Sequence, residues 1–137
     1  MRLGIVASRF NEAIAAELLE RAQGTARELG VESSVVSVPG ALEIPLALQW
    51  MAQSGRFDAL AAVGVVIRGE TYHFEIVAGE SARGLMALTM DGLAVGNGIL
   101  TVENEQQAIA RANPKHANKG GGAAEAALAL LELKGSF

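Results

Sequence analysis

The nine residues Ala59–Ile67, Ala-Leu-Ala-Ala-Val-Gly-Val-Val-Ile, constrain the fold more than any other stretch of this chain. They carry no charge or polar side chain and end rich in β-branched residues. Such a run reads as a strand buried on both faces, as in a parallel sheet with helices above and below. Directly behind it stands Arg68-Gly69-Glu70-Thr71-Tyr72-His73-Phe74. Gly69 is expected to supply a tight turn, Thr71 to cap a helix, and helical periodicity starts at Tyr72. Backbone N–H groups, a hydroxyl, a guanidinium and an imidazole are thereby gathered at the carboxyl end of one strand. In an open α/β sheet that edge is where ligands bind. An anion site combined with proton transfer is the first expectation.

The rest of the chain repeats the strand–helix alternation. Leu3–Ala7 reads as a short buried strand, followed by a turn through Phe10. Asn11 is the expected N-cap of a helix to Leu29, stopped by Gly30. Ser34–Val38 is the second strand, and Glu43-Ile44-Pro45 opens a helix to Gln53, with Pro45 tolerated in the first turn. After Ala59–Ile67, a helix from Tyr72 to Met90 offers Ile76, Val77, Leu85, Met86 and Leu88 to the sheet. Val95–Thr101 is the fourth strand, interrupted at Gly96-Asn97-Gly98. Asn104 caps a helix to Ala112, Asn113–Gly122 reads as a polar glycine-rich loop, and Ala123–Lys134 as the last helix. The order βαβαβαβαα predicts an α/β domain, a four-stranded parallel sheet covered on both faces. Residues 1–137 form one domain, with no repeat and no linker.

Composition narrows the function classes. Half of the residues are apolar and mean hydropathy is +0.28, yet no apolar run approaches the ~18 residues a membrane span needs. The excess therefore belongs to a core or a subunit interface, and a homo-oligomer is expected. A net charge of −4 without a basic cluster argues against a nucleic-acid surface. There is no cysteine, so disulfides and thiolate metal sites are excluded. With two histidines and no carboxylate cluster, no metal site is expected. The start Met1-Arg2-Leu3 enters a strand at once, so a cytoplasmic location is expected.

Four segments are expected at one edge of the sheet: Arg9-Phe10-Asn11, Pro39–Glu43, Arg68–His73 and Gly96-Asn97-Gly98. Four together point to a pocket. His73, in a first helical turn, is either a proton-transfer group or a surface histidine that starts a helix. Gly69-Glu70-Thr71 either presents N–H groups to a phosphate or is a plain helix start. Arg111 and Lys119 flank the late loop, as anion ligands offered to a neighbouring chain or as solvated cations. Phe10 either stacks on a planar heterocycle or staples its own helix. Glu43 either meets a ligand hydroxyl or complements a helix dipole. His116 has no assigned role. Neither Gly-x-Gly-x-x-Gly nor a Walker pattern is present, which argues against dinucleotide and P-loop folds. A receiver domain is excluded because Ser8-Arg9 and Arg68 stand where its acidic residues belong.

Several strings, taken in order, resemble the lumazine synthase family. They are Gly4–Asn11 (GIVASRFN), Val38–Pro45 (VPGALEIP), Gly64–Phe74 (GVVIRGETYHF), Ile99–Ala108 (ILTVENEQQA), Arg111-Ala112 and Asn118-Lys119-Gly120. The resemblance covers essentially the whole chain. It implies a flavodoxin-like three-layer sandwich, and an enzyme condensing 5-amino-6-(D-ribitylamino)uracil with 3,4-dihydroxy-2-butanone 4-phosphate. The product is 6,7-dimethyl-8-ribityllumazine, the penultimate intermediate of riboflavin biosynthesis, and no cofactor is required. By position, Phe10 would stack on the pyrimidine, Ala41, Leu42 and Glu43 would hold the ribityl chain, and Val65, Val66 and Ile67 would line the pyrimidine slot. Glu70 and Thr71 would bind the phosphate with Arg111 and Lys119, and His73 would shuttle protons.

Two positions depart from the family pattern. Asn97 stands where many members place a Phe that touches the pyrimidine of the neighbouring subunit, so an amide would meet the ring instead. Glu125-Ala126-Ala127 follows Lys119-Gly120 three residues later than usual, either through extra residues or through substitution without a gap. The resemblance further implies a homopentamer with active sites shared between adjacent subunits. The changed spacing and short N-terminus favour a free pentamer, with a sixty-subunit shell as the alternative. The competing function is a non-catalytic flavin- or pteridine-binding paralogue of the same fold.

Overall fold

In the computed structural model, which describes all residues 1–137, strands and helices alternate. They are β1 (Arg2–Ser8), α1 (Glu12–Glu28), β2 (Glu32–Val38), a 3-10 turn (Ala41–Glu43), α2 (Ile44–Gln53), β3 (Ala59–Ile67), α3 (His73–Met90), β4 (Val95–Val102), α4 (Glu105–Ala112) and α5 (Lys119–Gly135). All pairings are parallel and the order is β2-β1-β3-β4, the flavodoxin-like arrangement. Strand order reverses direction at β1, which puts α1 on one face of the sheet and the α2 and α3 crossovers on the other.

The two faces are packed differently. On one, Leu3, Ile5 and Leu100 meet Leu18 and a run of small residues, Ala22, Ala108, Ala112, Ala123 and Ala127, from α1, α4 and α5. On the other, Val6, Leu60, Val95 and Ile99 meet Ile44, Leu48 and Met51 of α2 and Leu85 and Leu88 of α3. β3 is buried along nearly its whole length, as an uncharged central strand must be.

Three expectations need correction. The glycine run is not a loop: α5 begins at Lys119 and passes through Gly120-Gly121-Gly122, capped by the Asn118 side chain, which accepts from Gly121 N at 3.3 Å. Gly120 is a packing contact, since a Cβ there would lie 2.1 Å from the Leu18 carbonyl oxygen of α1, whereas Gly122 faces open space. β4 is likewise continuous through Gly96-Asn97-Gly98. There a Cβ on Gly96 would fall 1.8 Å from the Ala123 oxygen, so the glycines admit α5 against the sheet. Finally, Ile76 and Met86 of α3 do not face the sheet but are exposed, as are Leu46 and Trp50 of α2.

Smaller differences lie at the helix starts. Asn11 is the residue before α1, but in the left-handed region (φ 54°), and its side chain caps nothing. Its carbonyl instead accepts from the N–H groups of Ile14 and Ala15, each at 3.0 Å. Thr71 does not cap α3, whose N-cap is Tyr72; its hydroxyl accepts from His73 N at 3.3 Å. Asn104 does cap α4, accepting from Gln107 N at 2.9 Å. Gly30, expected as a helix stop, adopts φ +75°.

Candidate active site

At the carboxyl ends of β1, β2 and β3 lies a cavity of about 600 Å³. Phe10 and Asn11 form the wall that follows β1. Gly40 and the 3-10 turn Ala41-Leu42-Glu43 follow β2, and Val65-Val66-Ile67 close the end of β3. His73 and Val77 enter from the first turns of α3. The cavity opens between β1 and β3, where strand order reverses and the loops diverge. Doubly wound sheets hold ligands at that crevice. Its lining is mostly apolar, with Glu43 and His73 as the ionisable side chains.

Local sequence accounts for each wall. Phe10 is 68% exposed, held in the open by the left-handed turn at Asn11 rather than stapled to α1. Its ring lies over Gly40, where a Cβ would sit 3.7 Å from Cδ2. The 3-10 turn sets Leu42 and Glu43 outward while Ala41 is buried. Glu43 makes no ion pair within the chain, so its carboxylate is available to a ligand hydroxyl. Gly69-Glu70-Thr71-Tyr72 runs exposed along the rim, and its four backbone N–H groups make no hydrogen bond within the chain. Free N–H groups ahead of an 18-residue helix form an anion-accepting edge.

Arg68 is not part of that free edge. Its guanidinium is bonded to Glu75 of α3 and to Glu103 just after β4, and it stacks on the Phe74 ring at 4.4 Å. The hydrogen bond from Arg68 holds the Glu75 carboxyl below its ordinary range.

Of the residues expected at a site, the fold brings Phe10, Ala41, Leu42, Glu43, Val65, Val66, Ile67 and His73 around one cavity, with Glu70 and Thr71 in the exposed segment that joins Ile67 to His73. It does not bring Asn97, Arg111 or Lys119 there. Asn97 pairs with Ala62, five residues before Ile67 at the strand end, about 16 Å along the sheet. It does not stand at the ligand-binding edge, and its Oδ1 accepts from Ile99 N at 2.9 Å. Arg111 and Lys119 ride on α4 and α5, in the layer opposite α2 and α3. Both are exposed, and Arg111 donates only to the Gln107 carbonyl of its own helix, at 3.1 Å.

Asn11 and Gly40, from two of the segments expected at that edge, also line the cavity, as does Val77, which was not expected there. Val77 was within reach of sequence reasoning, because it lies one turn beyond His73 on the same helical face.

The sequence matches the family described as 6,7-dimethyl-8-ribityllumazine synthase over residues 1–135. It is also similar to curated proteins bearing that name. The protein from Novosphingobium aromaticivorans is 62% identical over 95% of this chain and 94% of its own length. That from Zymomonas mobilis is 58% identical over 95% and 94%, and that from Cupriavidus pinatubonensis 52% over 97% and 80%.

Proposed function

The chain belongs to the 6,7-dimethyl-8-ribityllumazine synthase family, and from that premise we infer that the cavity over the β1–β3 crevice is where its two substrates meet. The enzyme condenses 5-amino-6-(D-ribitylamino)uracil with 3,4-dihydroxy-2-butanone 4-phosphate, a step of riboflavin biosynthesis. One observation carries the assignment of the site. A single cavity joins an exposed aromatic ring, an apolar strand end, an unpaired carboxylate and a histidine beside four free N–H groups.

The division of labour follows from these surfaces. Phe10 and Val65–Ile67 sandwich the flat pyrimidine, and Glu43 with the turn at Ala41 and Leu42 takes the ribityl hydroxyls. The rim at Glu70 and Thr71 receives the phosphate through its backbone N–H groups, neutralised by Arg111 and Lys119 of an adjacent subunit. The 5-amino group attacks the ketone, and water leaves to form an imine. A proton then leaves the carbon beside the imine as phosphate departs from the next carbon. The resulting enol becomes a ketone, which the ribitylamino nitrogen attacks; loss of a second water closes the ring. His73, between cavity and rim, carries the protons of imine formation and phosphate loss. Neither metal nor organic cofactor is required, and most of the acceleration comes from aligning two groups that condense readily.

The proposed assembly is a homopentamer in the cytoplasm, with sixty-subunit shells as the alternative. Association is supported by the apolar side chains exposed on α2 and α3, and by the placement of Arg111 and Lys119 away from their own cavity. Asn97, exposed on β4, is offered to the pyrimidine of the neighbouring copy. The displaced Glu125-Ala126-Ala127 lies inside α5, and a six-residue connection, 113–118, joins α4 to α5.

The test supplies both substrates to the purified protein and follows lumazine fluorescence together with phosphate release. Equal yields of lumazine and phosphate are expected. Tight riboflavin binding without lumazine formation would instead assign the chain to a non-catalytic pigment-binding role.

A further inference from the structure

We propose that Arg68 is a positioning residue for the phosphate-binding turn, anchoring Gly69–Tyr72 between β3, α3 and β4 while keeping two carboxylates away from the bound anion. The inference rests on the reading of that turn as the phosphate site.

The turn has almost nothing else to hold it. Gly69, Glu70, Thr71 and Tyr72 are all exposed, and open space surrounds the position a Cβ on Gly69 would take. Behind it, Arg68 N donates to Val102 O at 2.9 Å, extending the β3–β4 ladder by one residue. Its side chain then spans the junction. Nε donates to Glu103, Nη1 donates to Glu75, and the guanidinium plane rests on Phe74. One side chain thus ties the ends of two strands to the first turn of α3. The fork geometry matters, because two carboxylates are bound through different nitrogens of one rigid plane.

Charge gives a second reason. Glu70, Glu75 and Glu103 all lie at or beside the rim that is to receive a dianion, and Arg68 is the cation paired with two of them. Removing it would loosen the turn and also leave Glu75 uncompensated two residues from His73. The pairs are partly exposed, so solvent screens them and the expected effect is moderate rather than absolute.

A positioning role and a merely structural one differ in which substrate suffers. Arg68→Met keeps an unbranched stem over Phe74 but removes fork and charge. It is expected to raise KM for the phosphate substrate roughly five- to tenfold while KM for the pyrimidine changes less than about twofold, since only the phosphate meets the turn and the freed carboxylates. Arg68→Lys, which keeps the charge without the fork, should fall between wild type and Arg68→Met. Adding Glu75→Gln to Arg68→Met should recover part of the lost phosphate affinity. The proposal is overturned if Arg68→Met leaves the ratio of the two KM values unchanged, or if both rise together with a falling Tm and Glu75→Gln recovers nothing. If Arg68→Met does not fold, the same ratio is read from Arg68→Lys, and an unchanged ratio there overturns it equally. Inorganic phosphate, titrated against the wild-type enzyme, separates this from the underlying reading. Phosphate that fails to compete with the phosphate substrate sinks the turn as an anion site. Competition in wild type with unaltered Arg68 variants sinks only the role of Arg68.

Discussion

Two ionisable side chains line the cavity, and they stand on different walls: Glu43 on the turn after β2 and His73 at the start of α3. In the proposed reaction the separation assigns them two tasks, holding a polyol and moving protons. Because amine and ketone are brought together mainly by the walls, His73→Ala is expected to slow turnover by about 10²-fold and leave measurable activity. Steady-state rates on the folded, assembled variant decide this, and complete loss would make His73 indispensable to the chemistry. Phe10 shows what an aromatic in a polar turn can mean. The sequence left it poised between stacking and stapling, and the positive φ of Asn11 holds the ring out over Gly40, where it is free to meet a ligand. No rule of periodicity foretells a left-handed asparagine, which is why that alternative stayed open.

At the scale of elements, what the sequence made legible was whatever local pattern controls. β3 was found to the residue, because nine uncharged residues in a row leave no other place for them. The strand order and the gathering of Phe10, Ala41–Glu43, Val65–Ile67 and His73 at one edge follow from βαβ connectivity. What escaped was set by long-range packing. Gly120–Gly122 looks like a loop because glycine weakens helices by about 1 kcal/mol relative to alanine. Contact between α5 and the Leu18 carbonyl overrides that preference. Two substitutions separate the effects. Gly122, exposed with open space around it, should gain up to about 1 kcal/mol of stability on Gly122→Ala. Gly120→Ala should instead lose roughly 1–3 kcal/mol, because its Cβ meets backbone that cannot give way. Urea unfolding at matched protein concentration reads both signs, and stabilisation by Gly120→Ala would contradict the packing described.

The first turn of α3 also has a pH signature. The Glu75 carboxyl is held below its ordinary value of 4.5 by the hydrogen bond from Arg68. A carboxyl lowered on folding adds stability that is fully present above its unfolded pKa and is lost as pH falls through the folded one. The Tm difference between wild type and Glu75→Gln should therefore be steady near neutrality and shrink as pH drops below 4.5. A difference independent of pH would mean that the pair does not operate in solution.

For the whole molecule, the decisive fact is that the cavity and the basic residues expected to complete it sit in opposite layers. Asn97, too, lies partway down the β4 edge strand instead of at the ligand end. The sequence reading already offered Arg111 and Lys119 to a neighbouring chain; what it left open was how far α4 and α5 stand from their own cavity, which the packing of the two layers decides. Under the proposed shared site, the apolar side chains exposed on α2 and α3 are the surface offered for association. Sedimentation should show a particle of five chains or a multiple of five; a monomer with full activity would be incompatible with a shared site. The most direct test pairs two defective chains. Leu42→Arg blocks the cavity and Arg111→Ala removes the cation assigned to the neighbour. Co-expressed, the two should form oligomers in which roughly a quarter of the interfaces join an intact cavity to an intact Arg111. Specific activity above that of either parent is the predicted result. Activity that never exceeds the mean of the two parents would contradict a site built from two copies of this chain.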